Sequence, residues 1–285
     1  MKIIVTGVSG QLGHDVVILL QSNGRHEVHG LSRAELDVTD GAQCIGVLER
    51  IRPDAVIHCA AYTAVDQAET DSAQAYLVNG AGPGNLAAAA ERIGAKLIFV
   101  STDYVFDGES KSPYAESDNT NPQTVYGKSK RQGEQLVMER CSRHFIVRTS
   151  WVYGLNGNNF VKTMLKLGAE RDTLKVVNDQ FGSPTYTRDL AEFLLVLIET
   201  ERYGIYHASN TGCCSWFEFA QAIFAEAEMN VNVEPCTTAD FPRPAPRPKY
   251  SVLAHTAIQA NGLKDLPHWQ DALSRFLAAY TGKQA

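Results

Sequence analysis

The chain opens on an unbroken apolar, β-branched run, Ile3-Ile4-Val5-Thr6. It turns abruptly at Gly7-Val8-Ser9-Gly10-Gln11-Leu12-Gly13 and continues with apolar residues at Val16, Val17, Leu19 and Leu20. A short continuous apolar run reads as a strand buried on both faces, and helical spacing after a glycine turn reads as the helix packed on it. The alternation recurs. Strands are predicted at 27–31, 55–59, 96–100 and 144–149, and helices around 42–51, 85–93 and 126–140. Pro53 follows the first of these helices, Gly94 closes the second as a C-cap, and Asn121-Pro122 leads into the third.

Beyond Trp151 the rhythm changes. Helices at about 158–169, 187–199 and 215–228 are joined by longer irregular pieces. Residues 241–249, Phe-Pro-Arg-Pro-Ala-Pro-Arg-Pro-Lys, have no regular structure open to them, because proline lacks the N–H donor. The pattern predicts an α/β fold: a Rossmann-like, doubly wound parallel sheet with right-handed crossovers over residues 1–152. Residues 153–285 are expected to form mainly a smaller C-terminal substrate-binding lobe, with segments around 176–200 expected to pack back on the first domain. No internal repeat is visible.

Composition narrows the classes of function. The 285 residues are 44% apolar and 20% charged, ordinary for a globular protein, with a net charge of −6 and a pI near 5.8. An acidic chain of this kind has no general affinity for nucleic acid or anionic membranes, so an anionic substrate needs a local cluster of cations. No apolar stretch approaches the roughly 18 residues of a membrane span, and the N-terminus enters a strand directly, so cytoplasm is the expected compartment. Six cysteines, at 44, 59, 141, 213, 214 and 236, form no Cys-x-x-Cys pair and read as reduced thiols. The histidines lack the i, i+4 spacing of a helical zinc site, and His58 and His207 read as packed structural residues.

Two features carry chemistry. Strand, glycine turn and helix together make an anion site, because the first N–H groups of the helix and its positive dipole end face a phosphate. Here the spacing is Gly-x-x-Gly-x-x-Gly, unlike the Gly-x-Gly-x-x-Gly of many dehydrogenases. About 25 residues after Val100-Ser101-Thr102-Asp103, the helix brings Tyr126 and Lys130 four positions apart, which stacks them on one face. A free tyrosine has a pKa of about 10, and a cation within about 4–6 Å draws it toward the working range of an acid-base catalyst. Lys130 is placed to supply that charge.

Five separated motifs then line up in order: the glycine turn; Cys59-Ala60-Ala61-Tyr62-Thr63-Ala64-Val65-Asp66; Ser101-Thr102-Asp103-Tyr104-Val105-Phe106-Asp107-Gly108; the Tyr126/Lys130 pair; and Arg148-Thr149-Ser150-Trp151-Val152-Tyr153-Gly154. They resemble the extended short-chain dehydrogenase/reductases and, more narrowly, the dTDP-4-dehydrorhamnose reductase family. The likeness runs nearly end to end, through Asn158-Asn159-Phe160, the stretch 178–185 and Arg247-Pro248-Lys249-Tyr250-Ser251. It implies reduction of the 4-keto group of dTDP-4-dehydro-L-rhamnose by a nicotinamide cofactor, in nucleotide-sugar and polysaccharide synthesis.

Carried over by position, the resemblance implies that Tyr126 donates the proton, that Lys130 holds the nicotinamide ribose and tunes Tyr126, and that Thr102 bonds the substrate oxygen beside Asp103. Gly7, Gly10, Gln11, Leu12 and Gly13 would cover the pyrophosphate, Asp37 and Val38 the adenine, and Ala60, Ala61, Tyr62, Thr63 and Val100 the rest of the cofactor. Trp151 would touch the sugar and Val65 would line the same pocket; by charge alone, Arg247 and Lys249 are candidates to grip the nucleotide diphosphate. At the end of the second strand Ser32-Arg33 favours NADPH, since arginine accommodates the 2′-phosphate, while the nearby Glu35 leaves NADH possible.

Plainer readings stand beside these. Thr102 is also a β-branched strand end, Trp151 a core aromatic, Asp37 a helix cap, and Arg247 and Lys249 a solvated basic loop. A dehydratase of the same fold needs a Thr-Asp-Glu triplet, and here it is Thr102-Asp103-Tyr104. Another extended short-chain sugar-nucleotide reductase or epimerase, or a non-catalytic regulatory subunit of the same fold, is the remaining alternative. Some relatives bind magnesium between subunits. The matching positions are Asp15 and Arg188, the second of reversed charge, and the chain offers no late third ligand. The expectation is no metal, and a monomer or a homodimer built differently.

Overall fold

The computed structural model describes residues 1–282. β1 (Lys2–Thr6) leads into α1 (Gln11–Asn23), followed by β2 (Glu27–Leu31), α2 (Gly41–Ile51) and β3 (Ala55–His58). Two short helices that periodicity misses come next, α3 (Val65–Ala68) and α4 (Ser72–Tyr76), then a π turn over Leu77–Ala81 and α5 (Gly82–Ile93). α5 starts ahead of the alanine-rich stretch because Pro83 occupies its first turn, where a missing N–H is no loss. β4 (Lys96–Thr102) outruns its apolar segment and carries Ser101 and Thr102 into the sheet opposite Arg148 and Thr149. α6 (Val125–Arg140) is capped by the Thr124 side chain, which accepts from Gly127 N, and β5 (His144–Thr149) follows.

The second half comprises β6 (Val152–Tyr153), α7 (Phe160–Glu170), β7 (Thr173–Val177), β8 (Phe181–Gly182), β9 (Thr185–Tyr186), α8 (Thr187–Ile198) and β10 (Gly204–His207). It ends with β11 (Cys214–Ser215), α9 (Trp216–Glu226), β12 (Asn232–Cys236), α10 (Thr256–Ala260) and α11 (Trp269–Thr281).

A six-stranded, wholly parallel sheet in the order β10-β5-β4-β3-β1-β2 forms the centre. Its strands are apolar on both sides because both faces are covered. Ile3, Val5, Ile57, Ile98 and Val147 meet Val16, Leu20, Leu190 and Leu194 of α1 and α8. Ile4, Val56, Leu97, Phe99 and Ile146 meet Leu48, Leu86 and Val137 of α2, α5 and α6. Each fully buried aliphatic or Phe side chain contributes about 1.5–3 kcal/mol, so this alternation fixes the strand register. The late strand β10 adds to the sheet edge beside β5, and α8 lies against α1. A separate core of Tyr153, Val161, Phe219, Ile223, Trp269 and Phe276 joins α7, α9 and α11, beside the parallel pair β7 and β12.

β1 lies between β2 and β3, so the chain reverses direction across the sheet there. In open α/β sheets the crevice beyond the carboxyl ends of such strands is where ligands bind.

Burial also makes the fold acid-sensitive. His58, wholly buried, shares a 2.7 Å hydrogen bond with Thr6 Oγ1, and burial pushes its pKa down to about 3, with the Lys130 charge adding to the effect. His207 is lowered as well, by burial and then by Arg148. An unfolded histidine titrates near 6.5, so the stability held by these neutral rings is complete above about pH 6.5 and is lost as pH falls toward the folded values. Calorimetry is expected to show Tm falling by at least about 5 °C between pH 7 and pH 4.5. A flat Tm over that range would contradict the assignment.

Candidate active site

A single cleft of about 1380 Å³ runs from the glycine turn, past the ends of β1, β3, β4 and β5, to Trp216 of the second half. At its floor Gly7 has φ of +73°, and a Cβ there would stand 2.5 Å from Ala60 N. A Cβ on Gly13 would stand 2.3 Å from the Gly7 carbonyl oxygen. The two glycines therefore let β1, α1 and the chain after β3 approach closely. No side chain caps the N-terminus of α1, and its first turn holds no acidic residue. Free N–H groups facing a glycine cradle are the chemistry a dinucleotide pyrophosphate requires, and on that observation the residues fit such a cofactor.

Gln11 lies in the cradle, but its side chain turns toward the second half. Its Oε1 accepts from Gly154 N at 3.0 Å and from Asn159 Nδ2 at 2.9 Å, while Asn156 Nδ2 donates to the Ser9 and Gly10 carbonyls. The cleft is thus braced across its mouth. Leu36, Asp37, Val38 and Thr39 line the far end, with Ser32 and Arg33. Asp37 does not cap α2; Asp40 does, accepting from Gln43 N at 3.0 Å. The Asp37 carboxylate accepts instead from Thr39 N and Oγ1, which hold its pKa below the usual range, and Arg33 Nε lies 3.4 Å away. Both Ser32 N and Ser32 Oγ donate to Glu35, so that carboxylate is committed to the turn and Arg33 stays 74% exposed.

Ala60, Ala61, Tyr62 and Thr63 leave β3 along the cleft wall, held by Asn79 of the π turn, which accepts from Tyr62 N at 2.8 Å and donates to Tyr62 O and Ser129 Oγ. π segments recur at functional sites. Nothing in the hydrophobic pattern marks Asn79.

Thr102, Asp103, Tyr126 and Lys130 converge at the ends of β4 and α6. Close packing of α6 on the turn after β4 and on the π turn depends on Gly127 and Gly133, where a Cβ would meet the Tyr104 and Asn79 carbonyl oxygens at 2.2 Å. Thr102 Oγ1 donates to Asp103 Oδ1 at 2.9 Å and accepts from Tyr104 N. Burial pushes the Asp103 carboxyl up to about 6 against the Thr102 hydrogen bond. Lys130, 2% exposed, donates to the Val100 carbonyl at 2.6 Å and sits 4.1 Å over the Phe99 ring.

The electrostatics differ from expectation. Burial drives the Tyr126 phenol up to about 12, with the Thr102 hydrogen bond opposing and the Asp103 charge reinforcing the rise. Burial likewise draws the Lys130 ammonium down to about 7, against Glu134 and Cys59. Four-residue spacing puts the two side chains on one face, but the lysine's hydrogen bond goes to Val100. The phenol is therefore kept protonated, the form of a general acid.

Val65, Trp151 and Arg247 also line the cleft. Trp151 has φ of +46°, rare for a bulky residue, and its ring stacks on Trp216 at 3.5 Å above Gly182, where a Cβ would clash at 2.5 Å. Arg247 donates to Asp66 at 2.9 Å and to Ala245 O. Lys249 is not brought in. It is 71% exposed, 3.6 Å from Glu109, and Arg243 occupies the cleft wall in the same irregular segment. Trp216, Phe160 and Gln180 join the lining; Phe160 and Gln180 lie in stretches that carry the resemblance, which assigns them no role, and Trp216 has no signal in sequence. Asp15 accepts from the Thr187 hydroxyl, and Arg188 faces Glu192 at 3.7 Å on the exposed side of α8. Among the described residues, no group of three or more His, Cys, Asp or Glu is placed to hold a metal ion.

Sheet order, glycine cradle and a Tyr/Lys helix beside the β4 terminus define an extended short-chain dehydrogenase/reductase. A family profile described as "RmlD substrate binding domain" matches residues 1–281, and the chain belongs to that family. A dTDP-4-dehydrorhamnose reductase of Aggregatibacter actinomycetemcomitans is 45% identical over 97% of this chain and 98% of its own. The structure of dTDP-4-dehydrorhamnose reductase from Bacillus anthracis in complex with NADP is 48% identical, with a TM-score of 0.95 over 98% of this chain and 99% of that one. The corresponding enzyme from Clostridium acetobutylicum, at 45% identity, superposes with a TM-score of 0.96 over 99% and 100%.

Proposed function

We propose that this chain reduces the 4-keto group of dTDP-4-dehydro-L-rhamnose with NADPH, giving dTDP-L-rhamnose for cell-surface polysaccharide synthesis. The observation that carries the reading is the convergence of Thr102, Tyr126 and Lys130 on one wall of a cleft whose floor is a glycine cradle. In this reading Gly7, Gly10, Leu12 and Gly13 hold the pyrophosphate. Asp37 and Val38 flank the adenine, Arg33 receives the 2′-phosphate, and Lys130 meets the nicotinamide ribose. Bound NADPH supplies the hydride.

Negative charge grows on the ketone oxygen as hydride arrives, so the site must aim donors at that oxygen. Tyr126 is one of those donors and gives up its proton; Thr102 is the second, its hydroxyl turning from Asp103, to which it donates here, toward the ketone oxygen. The Lys130 cation stabilises the phenolate left behind. Trp151, fixed by Trp216 and Gly182, packs against the sugar together with Val65, and Arg243 and Arg247 face the diphosphate. The chain works in the cytoplasm as a monomer or homodimer without a bridging metal. Among the described residues no helix is long and apolar enough to cross a membrane.

The test is NADPH consumption with dTDP-4-dehydro-L-rhamnose and with keto-sugar nucleotides of other stereochemistry. Turnover on the first, with NADPH preferred to NADH, supports the reading. Failure to oxidise NADPH with any of them would favour the regulatory alternative, and isolation with tightly retained NAD would favour an epimerase.

A further inference from the structure

Three successive residues of β4 each receive one rung of α6. The Tyr126 phenol lies beside Thr102, whose hydroxyl opposes the rise of its pKa, the Val100 carbonyl accepts from Lys130 at 2.6 Å, and Ser101 Oγ donates to Glu134 Oε1 at 2.6 Å. Tyr126, Lys130 and Glu134 follow one another at four-residue steps, so all three project from one helix face. Glu134 has no exposed surface. Arg148 of β5 grips it with two hydrogen bonds, of 2.8 and 2.9 Å, and Arg131 adds a third at 2.9 Å.

We propose that Glu134 is a positioning residue for the Tyr126/Lys130 pair, supplying the negative charge that faces Lys130 from the next helical turn and fixing the register of α6 on β4. The proposal rests on the reading of Tyr126 and Lys130 given above. The charged and titratable groups that interact with Lys130 are Glu134 from its own helix and His58 and Cys59 at the end of β3; Tyr126 and Asp103 line the same cleft, and Arg131 and Arg148 bind Glu134. Burial disfavours the Lys130 cation, and Glu134 is the largest opposing influence. Burial also disfavours the Glu134 carboxylate, but Arg148, Ser101 and Arg131 hold its pKa below the usual range, so the charge is present at neutral pH. A buried ion pair is weak evidence for stability by itself. Its place one turn beyond Lys130 gives this pair a catalytic consequence.

The experiment is titration of the Lys130 side chain in the full-length protein, read from its ¹³Cε chemical shift and assigned by its disappearance in Lys130→Met. In Glu134→Gln, which keeps the size and the Ser101 contact, the midpoint is expected to fall by at least about one pH unit, a tenfold change in the protonation equilibrium. The high-pH limb of kcat should move down with it. Ser101→Ala, which leaves the charge in place, should move the midpoint by less than about 0.3 unit. If Glu134→Gln does not fold, the double variant Glu134→Gln/Arg148→Met leaves neither charge of the pair unmatched and is expected to shift the midpoint in the same direction. An unmoved midpoint accompanied only by a lower Tm would overturn the proposal and leave Glu134 a structural anchor. A moved midpoint in a protein that reduces no keto sugar would keep the coupling and remove the proposed reaction.

Discussion

Replacing Tyr126 by phenylalanine is expected to lower kcat by about 10²–10⁴-fold, the usual contribution of a positioned general acid. The ring still fills its place against Tyr104, 5.5 Å between centroids in an edge-to-face contact, so the fold should survive. In the proposed mechanism the lost hydroxyl is both the proton source and one of two donors to the developing oxyanion, and in a desolvated site such donors matter most in the transition state. The change should therefore fall on kcat. The dissociation constant for NADPH, measured by fluorescence titration, is expected to stay within about threefold, because the phenol's role is confined to the reacting oxygen. An unchanged kcat would remove Tyr126 from the chemistry, and a large loss of NADPH affinity would make it a binding residue.

Gly7→Ala should act at the other end of the cleft and chiefly on binding. Its φ of +73° costs an L-residue about 1–3 kcal/mol, and the new methyl would stand 2.5 Å from Ala60 N, 2.7 Å from Ala60 Cα and 2.8 Å from the Cys59 carbonyl carbon. All three are backbone atoms and cannot swing aside. β1 and the segment after β3 must separate, which opens the cradle that α1 completes. NADPH affinity is expected to fall by at least about 100-fold, equivalent to about 2.7 kcal/mol, with Tm lowered by several degrees. Isothermal titration and thermal unfolding of the purified variant check both. Wild-type affinity in Gly7→Ala would mean that the cofactor lies elsewhere.

The central sheet was legible because burial on both faces writes strands as continuous apolar runs such as Ile3-Ile4-Val5 and Leu97-Ile98-Phe99. Glycine and proline punctuated it, and Gly94 does close α5 with φ of +72°. The short helices α3 and α4 were not legible, being too short to show a period, and the edge strand β10 lacks the flanking pattern of the first five. Spacing alone put Tyr126 and Lys130 on one helix face, and the structure places both on the cleft wall.

The direction of their pKa shifts was not legible. Desolvation comes from the packing of β3, β4 and β5 around the pair, and no local pattern encodes it. Arg243 and Lys249 were indistinguishable within one proline-rich segment, where no helical or strand period says which side chain turns inward. Gln11 looked like a phosphate-loop residue, yet its amide serves Gly154 and Asn159, more than 140 positions away. Trp216 starts a helix behind a capping box of Ser215 and Glu218, a signal for the helix but not for the ring stacked on Trp151.

The account depends on net delivery of hydride to the sugar carbonyl carbon by a site that then releases oxidised cofactor. The most direct measurement is NMR of the product formed from NADPH carrying deuterium at the transferring position. One deuterium per sugar at the former carbonyl carbon, with one NADP⁺ released for each sugar reduced, is the predicted result. Deuterium absent from that carbon, or a sugar returned as an epimer with no net loss of NADPH, would contradict it.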